Sequence, residues 1–426
     1  MKFGRSARAA RTVVCAVAVA LWLGIGAAKA AEITIWSWDP FNTIALNAAV
    51  ARYTAKHPDV TFNLQSLAKS DVETKLQTSL ASGFTDALPD ITLIEDYEAQ
   101  KYLQTFPDAF VPSADTVDLT KFAKYKVDSV SANGKGIGVP FDSGVAVFFY
   151  RRDYLEQAGY KPDDLKDLTW DKFIEIGKAI KAKTGHSIIA NDPLSNGLIT
   201  MMMQSAGGWY FDKDGKPYID GNAPLRAAVE EYSVLLKSGI MKAATGPDLL
   251  GSINSGDVAG TINGIWMIPQ IEQAADQSGK WGIAPFPKLT SIPGAVGASN
   301  NGGSSWYVLS TSPNKTTAMD FLNETFGKDT DFYQDILLKP GAVGTFLPAR
   351  TGAAYSAPDA FFGGQKIWQD VSAWLPEVPS VNFGLFTPEM NAALADALPD
   401  LVKGASVDSV LAELKVQAAT RVQIVD

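Results

Sequence analysis

One cysteine and two histidines in 426 residues leave little for covalent or metal chemistry to use. Cys15 lies in an apolar run near the amino terminus, so the chain beyond it has no thiol, and disulfides and cysteine metal sites are excluded there. His57, in Lys-His-Pro, reads as a helix-terminal cation, and His186 falls in a Thr-Gly-His-Ser loop. Neither a histidine metal site nor a histidine-relayed nucleophile has support from them. G-x-S-x-G, H-E-x-x-H and G-x-x-x-x-G-K-[ST] are all missing. Blocks of like charge and low-complexity tracts are missing too, so disorder is not expected. Asn133-Gly134-Lys135-Gly136-Ile137-Gly138 has alternate glycines but opens no helix, which favours a hairpin turn over a phosphate loop. Asp212-Lys213-Asp214-Gly215 has its glycine two positions too early for a calcium loop and reads as a turn.

Long apolar runs are confined to the start. Lys2, Arg5, Arg8 and Arg11 precede the run Thr12 to Ala28, and Ala28-Lys29-Ala30 is an A-x-A cleavage pattern, so residues 1–30 are expected to be a signal peptide. Its removal takes away five cations and no acids, and the net charge of −9 becomes about −14. An acidic exported chain is a poor partner for nucleic acid, and none is expected. The remaining length exceeds one core and predicts two lobes.

Strand and helix alternate through the first third. Glu32–Trp36, Val60–Leu64 and Asp90–Ile94 read as strands, with helices over Phe41–Lys56 and after Ser70, where Ser70 and Glu73 match a capping box and Gly83 a stop. This predicts a parallel sheet covered on both faces, whose ligands gather beyond the carboxyl ends of its strands. Trp38, Asp39, Glu95, Asp96 and Tyr97 fall there. Val139-Pro140-Phe141-Asp142-Ser143-Gly144 reads as an extended passage from one lobe to the other, feeding an apolar run, Val145–Tyr150, that predicts a buried parallel strand. Gly302–Ser310 and Gly344–Arg350 are the second and third passages, and Pro388 and the Val407, Leu411, Leu414 spacing fit two closing helices. Three such passages make a hinge.

Tryptophan is the residue that stands out. Nine lie beyond the leader, and Trp36, Trp38, Trp209, Trp266 and Trp306 sit among Gly, Ser, Asn or Asp at strand ends or loops. Trp170 and Trp281 read as core. A sugar ring, with an apolar face and a rim of hydroxyls, suits a flat indole with Asp, Glu, Arg or Asn around it. Paired carboxylates for glycan cleavage remain open, since sequence spacing does not report distance.

In order along the chain, Ile33-Thr34-Ile35-Trp36-Ser37-Trp38, Pro89-Asp90-Ile91, Gly134-Lys135 before Val139-Pro140-Phe141-Asp142, Tyr150-Arg151-Arg152-Asp153-Tyr154-Leu155, Thr169-Trp170-Asp171, Gly207-Gly208, Asn263-Gly264 with Trp266, and Gly303-Ser304 with Trp306 resemble the extracellular solute-binding proteins of carbohydrate ABC importers, the maltose- and trehalose-binding relatives. The resemblance implies a periplasmic-binding-protein-like α/β fold: two lobes, each a mostly parallel sheet flanked by helices, joined by three hinge passages. It puts the lobes at 31–141 with 305–345 and at 142–304 with 346–426. It implies a periplasmic monomer without enzymatic activity, cofactor or metal, which closes on a disaccharide such as lactose and delivers it to membrane permease subunits. Expected ligand contacts are Asp142, Glu95 or Asp96, Trp266, Gly303, Ser304 and Arg350, with Trp38 and Asp39 from the first strand and Trp209 from its glycine loop. The second passage departs from the pattern by reading Gly-Gly-Ser-Ser-Trp, so whether Trp306 stacks on the sugar stays open. A secreted glycan-cleaving enzyme and a peptide or polyamine binder are the rival readings.

Overall fold

The computed structural model describes residue 1, residues 31–339 and residues 342–422, without the side chain of residue 39. The expected signal peptide therefore lies outside the described residues. In chain order the main elements begin with β1 (Ala31–Trp38), α1 (Asp39–Thr54), β2 (Val60–Leu67), α2 (Lys69–Ser82), β3 (Ile91–Glu95) and α3 (Asp96–Thr105). α4 (Lys124–Ser129) and β4 (Val139–Pro140) complete the first run, and β5 (Ala146–Arg151) opens the second lobe. There follow α5 (Trp170–Thr184), β6 (Ile189–Asn191), α6 (Gly197–Ser205), α7 (Ala223–Ser238), β7 (Met241–Ala243), β8 (Gly260–Gly264) and β9 (Trp281–Pro285). The chain then returns as β10 (Ser304–Val308), α8 (Lys315–Thr325) and α9 (Thr330–Leu338), and ends in α10 (Ile367–Trp374), α11 (Thr387–Val402) and α12 (Val407–Arg421).

The first sheet has the order β2-β1-β3-β10-β4. β1, β2 and β3 are parallel, while β10 is antiparallel to both of its neighbours. In the second lobe β5 runs antiparallel between β8 and β9, β6 pairs with β7 in parallel, and a parallel bridge from Ser187 to Val258 aligns β6 beside β8. Both sheets thus repeat one plan, a parallel set interrupted by a single reversed strand. The parallel pairing expected of Val145–Tyr150 is corrected: β5 is the reversed strand of its lobe. A strand that arrives straight from the other lobe enters its sheet from the opposite end, and burial on both faces makes its sequence apolar whichever way it points. Val145, Val147 and Phe149 face one core and Ala146, Phe148 and Tyr150 the other, the alternation a pleated strand requires.

Local signals explain most element ends. Gly83 stops α2 at φ 72°, Thr169 accepts a hydrogen bond from the Lys172 N–H at the start of α5, and Asn133-Gly134 turn the 131–136 hairpin with φ of 52° and 74°. The Ser70 capping box does not form. Helix α2 begins two residues earlier, after Ala68, and Glu73 pairs instead with Lys69 at 3.1 Å. The rings that follow Gly207-Gly208 are packed away: Trp209, Tyr210 and Phe211 are all buried.

Three passages run side by side between the lobes. The Ser143 N–H donates to Val343 O at 2.9 Å and the Thr345 N–H to Phe141 O at 2.9 Å, while the Asn301 N–H donates to Gly144 O at 2.7 Å. A Cβ on Gly144 would lie 2.1 Å from Asn301 O, so only glycine lets the first and second passages touch. The first passage is thereby bonded to both others.

Candidate functional site

The second passage supplies the floor of a cleft of about 530 Å³. Gly302 and Gly303 both hold φ +91°, a region that side chains disfavour. A Cβ on Gly303 would come 2.9 Å from Asp96 Oδ2. The first passage contributes Asp142, buried, whose Oδ1 accepts the Ser304 N–H at 2.7 Å. From the ends of β1 and β3 come Trp38 and Glu95, and from the turn after β8 comes Trp266. The Trp266 indole N–H donates to Asn301 O at 2.8 Å, which fixes the ring beside the floor. Phe41, Ile44 and Pro269 extend the apolar wall, and Asn42, Gln270, Gln273, Lys69 and Lys339 add polar groups.

Among the described residues that line the cleft the charges balance, with Glu95 and Asp142 against Lys69 and Lys339. Burial pushes the Glu95 carboxyl above the usual carboxylate range, and Lys69 beside it pulls the other way. Burial works against the Lys69 ammonium, yet Glu95 and Tyr97 more than offset it and hold its pKa above the ordinary lysine value. A balanced set of charges suits a neutral solute better than an ionic one.

Across Gly302 lies a second hollow of about 130 Å³. Its lining is rich in amides: Asn196 at the N-cap of α6, Gln204 within α6, Asn391 from α11, and Asn300 and Asn301 from the second passage, with Tyr97, Trp209 and Phe383 as rings. Trp209 is pinned there, its indole N–H donating to Thr387 Oγ1 at 2.8 Å and its ring meeting Phe383 edge-on at 5.0 Å.

Six of the expected residues, Trp38, Glu95, Asp142, Trp266, Gly303 and Ser304, therefore line the large cleft, and Trp209 and Asp96 line the small one. Asp96 is already committed: both its carboxylate oxygens take bonds from the fully buried Lys126, at 2.6 and 2.7 Å, and Ser305 Oγ donates at 3.1 Å. Its role is to tie the start of α3 to α4 and β10 beneath the floor. Trp306 is a correction, fully buried between Phe141 at 5.6 Å and Phe326 at 5.5 Å, because β10 is covered on both faces. Arg350 lies away from both hollows in this structure. Gln334 pins its turn to α9 by donating to Ala349 O at 2.7 Å; burial pushes the Arg350 pKa down. Asp39 opens α1, and its side chain is outside the described set.

The sequence reading missed Lys69 and the amides. Lys69 follows the carboxyl end of β2, where the rule for parallel sheets would have found it. Asn196, Gln204 and Asn391 carry no such signal, because an amide on a helix reads as a solvated face.

Two lobes of like topology, three bonded passages and a cleft at their junction define a hinged ligand-binding protein. The chain belongs to the bacterial extracellular solute-binding proteins, whose family model matches residues 48–362. It is 54% identical over 415 residues to a lactose-binding protein of Rhizobium radiobacter, covering 97% of this chain and 98% of that one. It is 25% identical to an arabinooligosaccharide-binding protein of Bacillus subtilis over 68% of each. A solved galacto-N-biose-/lacto-N-biose I-binding protein from Bifidobacterium longum, in complex with lacto-N-biose, shares the fold, with a TM-score of 0.75 at 23% identity over 92% of this chain and 97% of that one.

Proposed function

We propose that this protein captures a neutral disaccharide, with lactose first among the candidates, by closing its lobes over it, and delivers it on the periplasmic side to the permease of an ABC importer. The observation that carries the reading is the convergence of Trp266, Glu95 and Asp142 on the Gly302-Gly303 floor. An indole gives the apolar ring face its surface, and each charged group bonded to a sugar hydroxyl contributes about 1.5–3 kcal/mol. The 54% identity to a lactose-binding protein supports the choice of sugar, and the balanced charges support a neutral one. Neither hollow alone needs to hold the whole ligand; one ring in the large cleft and one in the small accounts for both.

The lobes are 31–141 with 305–345 and 142–304 with 346–426, the third passage still resting on α9 as it leaves. A ligand that touches both lobes binds the closed state better than the open one, and that difference is the signal the permease reads. The protein acts as a monomer, without a cofactor and without turning its ligand over. Titration calorimetry against lactose, maltose, sucrose and trehalose, with the sugar analysed afterwards, tests this. Binding of lactose with intact sugar recovered is expected. Cleavage of any sugar would install the glycan-cleaving reading in its place, and, in a parallel titration with spermidine, heat from the amine and from no sugar would install the polyamine one.

A further inference from the structure

One side chain has contacts that reach both hollows. Lys69 begins α2 directly after β2, and its ammonium pairs with the Glu95 carboxylate, sits 3.1 Å from Glu73 Oε1 and donates to the Tyr97 hydroxyl at 3.1 Å. It also lies 5.1 Å from the centroid of the Tyr97 ring. Glu95 lines the large cleft and Tyr97 the small one. A helix-surface ion pair with Glu73, four residues on, would need none of the other contacts.

We propose that Lys69 is a positioning residue for ligand recognition, its ammonium holding Glu95 towards one hollow and Tyr97 towards the other so that the two halves of a two-ring neutral sugar are gripped together. The inference rests on the disaccharide reading of the site. Three oxygens on one cation restrict the rotamers of both recognition groups before the ligand arrives, which removes an ordering cost from binding. The cation also sets protonation. Glu95 sits where burial favours its neutral form, and Lys69 is the nearest group opposing this. Among the described residues the other charged or titratable groups around it are Tyr97 and Asp96, then Glu73, Glu98 and Lys101 behind, with Asp142 and Lys339 across the cleft.

The test is calorimetry on the full chain with the disaccharide of the panel that wild type binds best and with its component monosaccharides, at several pH values. Lys69→Met is expected to lose roughly 30-fold or more in affinity for the disaccharide and only about 3-fold for a single ring, and, because Glu95 loses the cation that opposes its neutral form, to move the fall in affinity on acidification to a higher pH than in wild type. Lys69→Arg, which keeps the cation, is expected to restore most of the affinity. Tyr97→Phe removes one arm only and gives a smaller loss confined to the disaccharide, whatever Lys69→Met does to folding. Wild-type affinity with an unshifted pH profile in Lys69→Met, or equal losses for one ring and two, overturns the proposal while leaving the sugar site standing. No binding of any sugar by wild type overturns the site reading, and this inference with it.

Discussion

The two hollows that meet at Gly302 are built from different chemistry. The large one takes charge and indole from strand ends and from the passages, whereas the small one takes amides from helices α6 and α11, from the N-cap of α6 and from the second passage. Strand ends in a parallel sheet converge on one edge, so acids and rings placed there face a ligand at any distance in sequence. Helix amides reach the ligand only if that helix happens to lean over the cleft. The large cleft is therefore fixed by the sheet, and the small one by how the second lobe's helices pack around it.

Substitutions can break or sharpen that contrast. Trp306→Ala tests the shared support behind the floor and should have the largest effect, a loss of about 3–5 kcal/mol of stability in denaturant unfolding, because a buried indole leaves a cavity. Trp266→Ala should leave stability nearly unchanged and weaken sugar binding by about 2 kcal/mol, roughly 30-fold. If Trp266→Ala binds as wild type, the indole belongs to the wall alone. Asn196→Ala, in the small hollow, should cost about 1 kcal/mol for a disaccharide and nothing measurable for a monosaccharide. Equal effects on both sugars would mean that the hollows do not divide the rings between them.

The smallest effect is one of pH. Burial, helped by Glu73, pushes Glu98 up to about 7. The folded chain then holds a proton that the unfolded chain has released, so the stability tied to Glu98 is full below its unfolded pKa and falls as pH rises towards 7. Glu98→Gln should flatten that slope and add roughly 0.5–1 kcal/mol at pH 8, read from unfolding midpoints across the range.

Much of this architecture was legible in the sequence, and what was not has a physical reason. Alternating strands and helices, the glycine stop at Gly83 and the turn at Asn133-Gly134 are local signals, and they held. Pro388 does open the first of the two closing helices. The direction of β5 was not legible, because a strand buried on both faces is apolar in either orientation. Trp306 misled for the same reason: an indole beside Gly303 looks like a cleft edge until the layer covering β10 is known. Ser70 offered a cap that the chain did not use, since Lys69 pairs with Glu73 and Glu95 from inside the helix.

The run Phe361–Trp368 lines neither hollow and has another task. Gln365 lies along β9, accepting the Ile283 N–H at 3.0 Å and donating to Ile283 O at 2.9 Å, much as a neighbouring strand would. An amide side chain thus occupies the rim of the second sheet where another molecule could otherwise add a strand. For a protein that must stay dispersed and mobile while it ferries cargo to a membrane, a closed rim removes one route to fibrils without needing a further layer of chain.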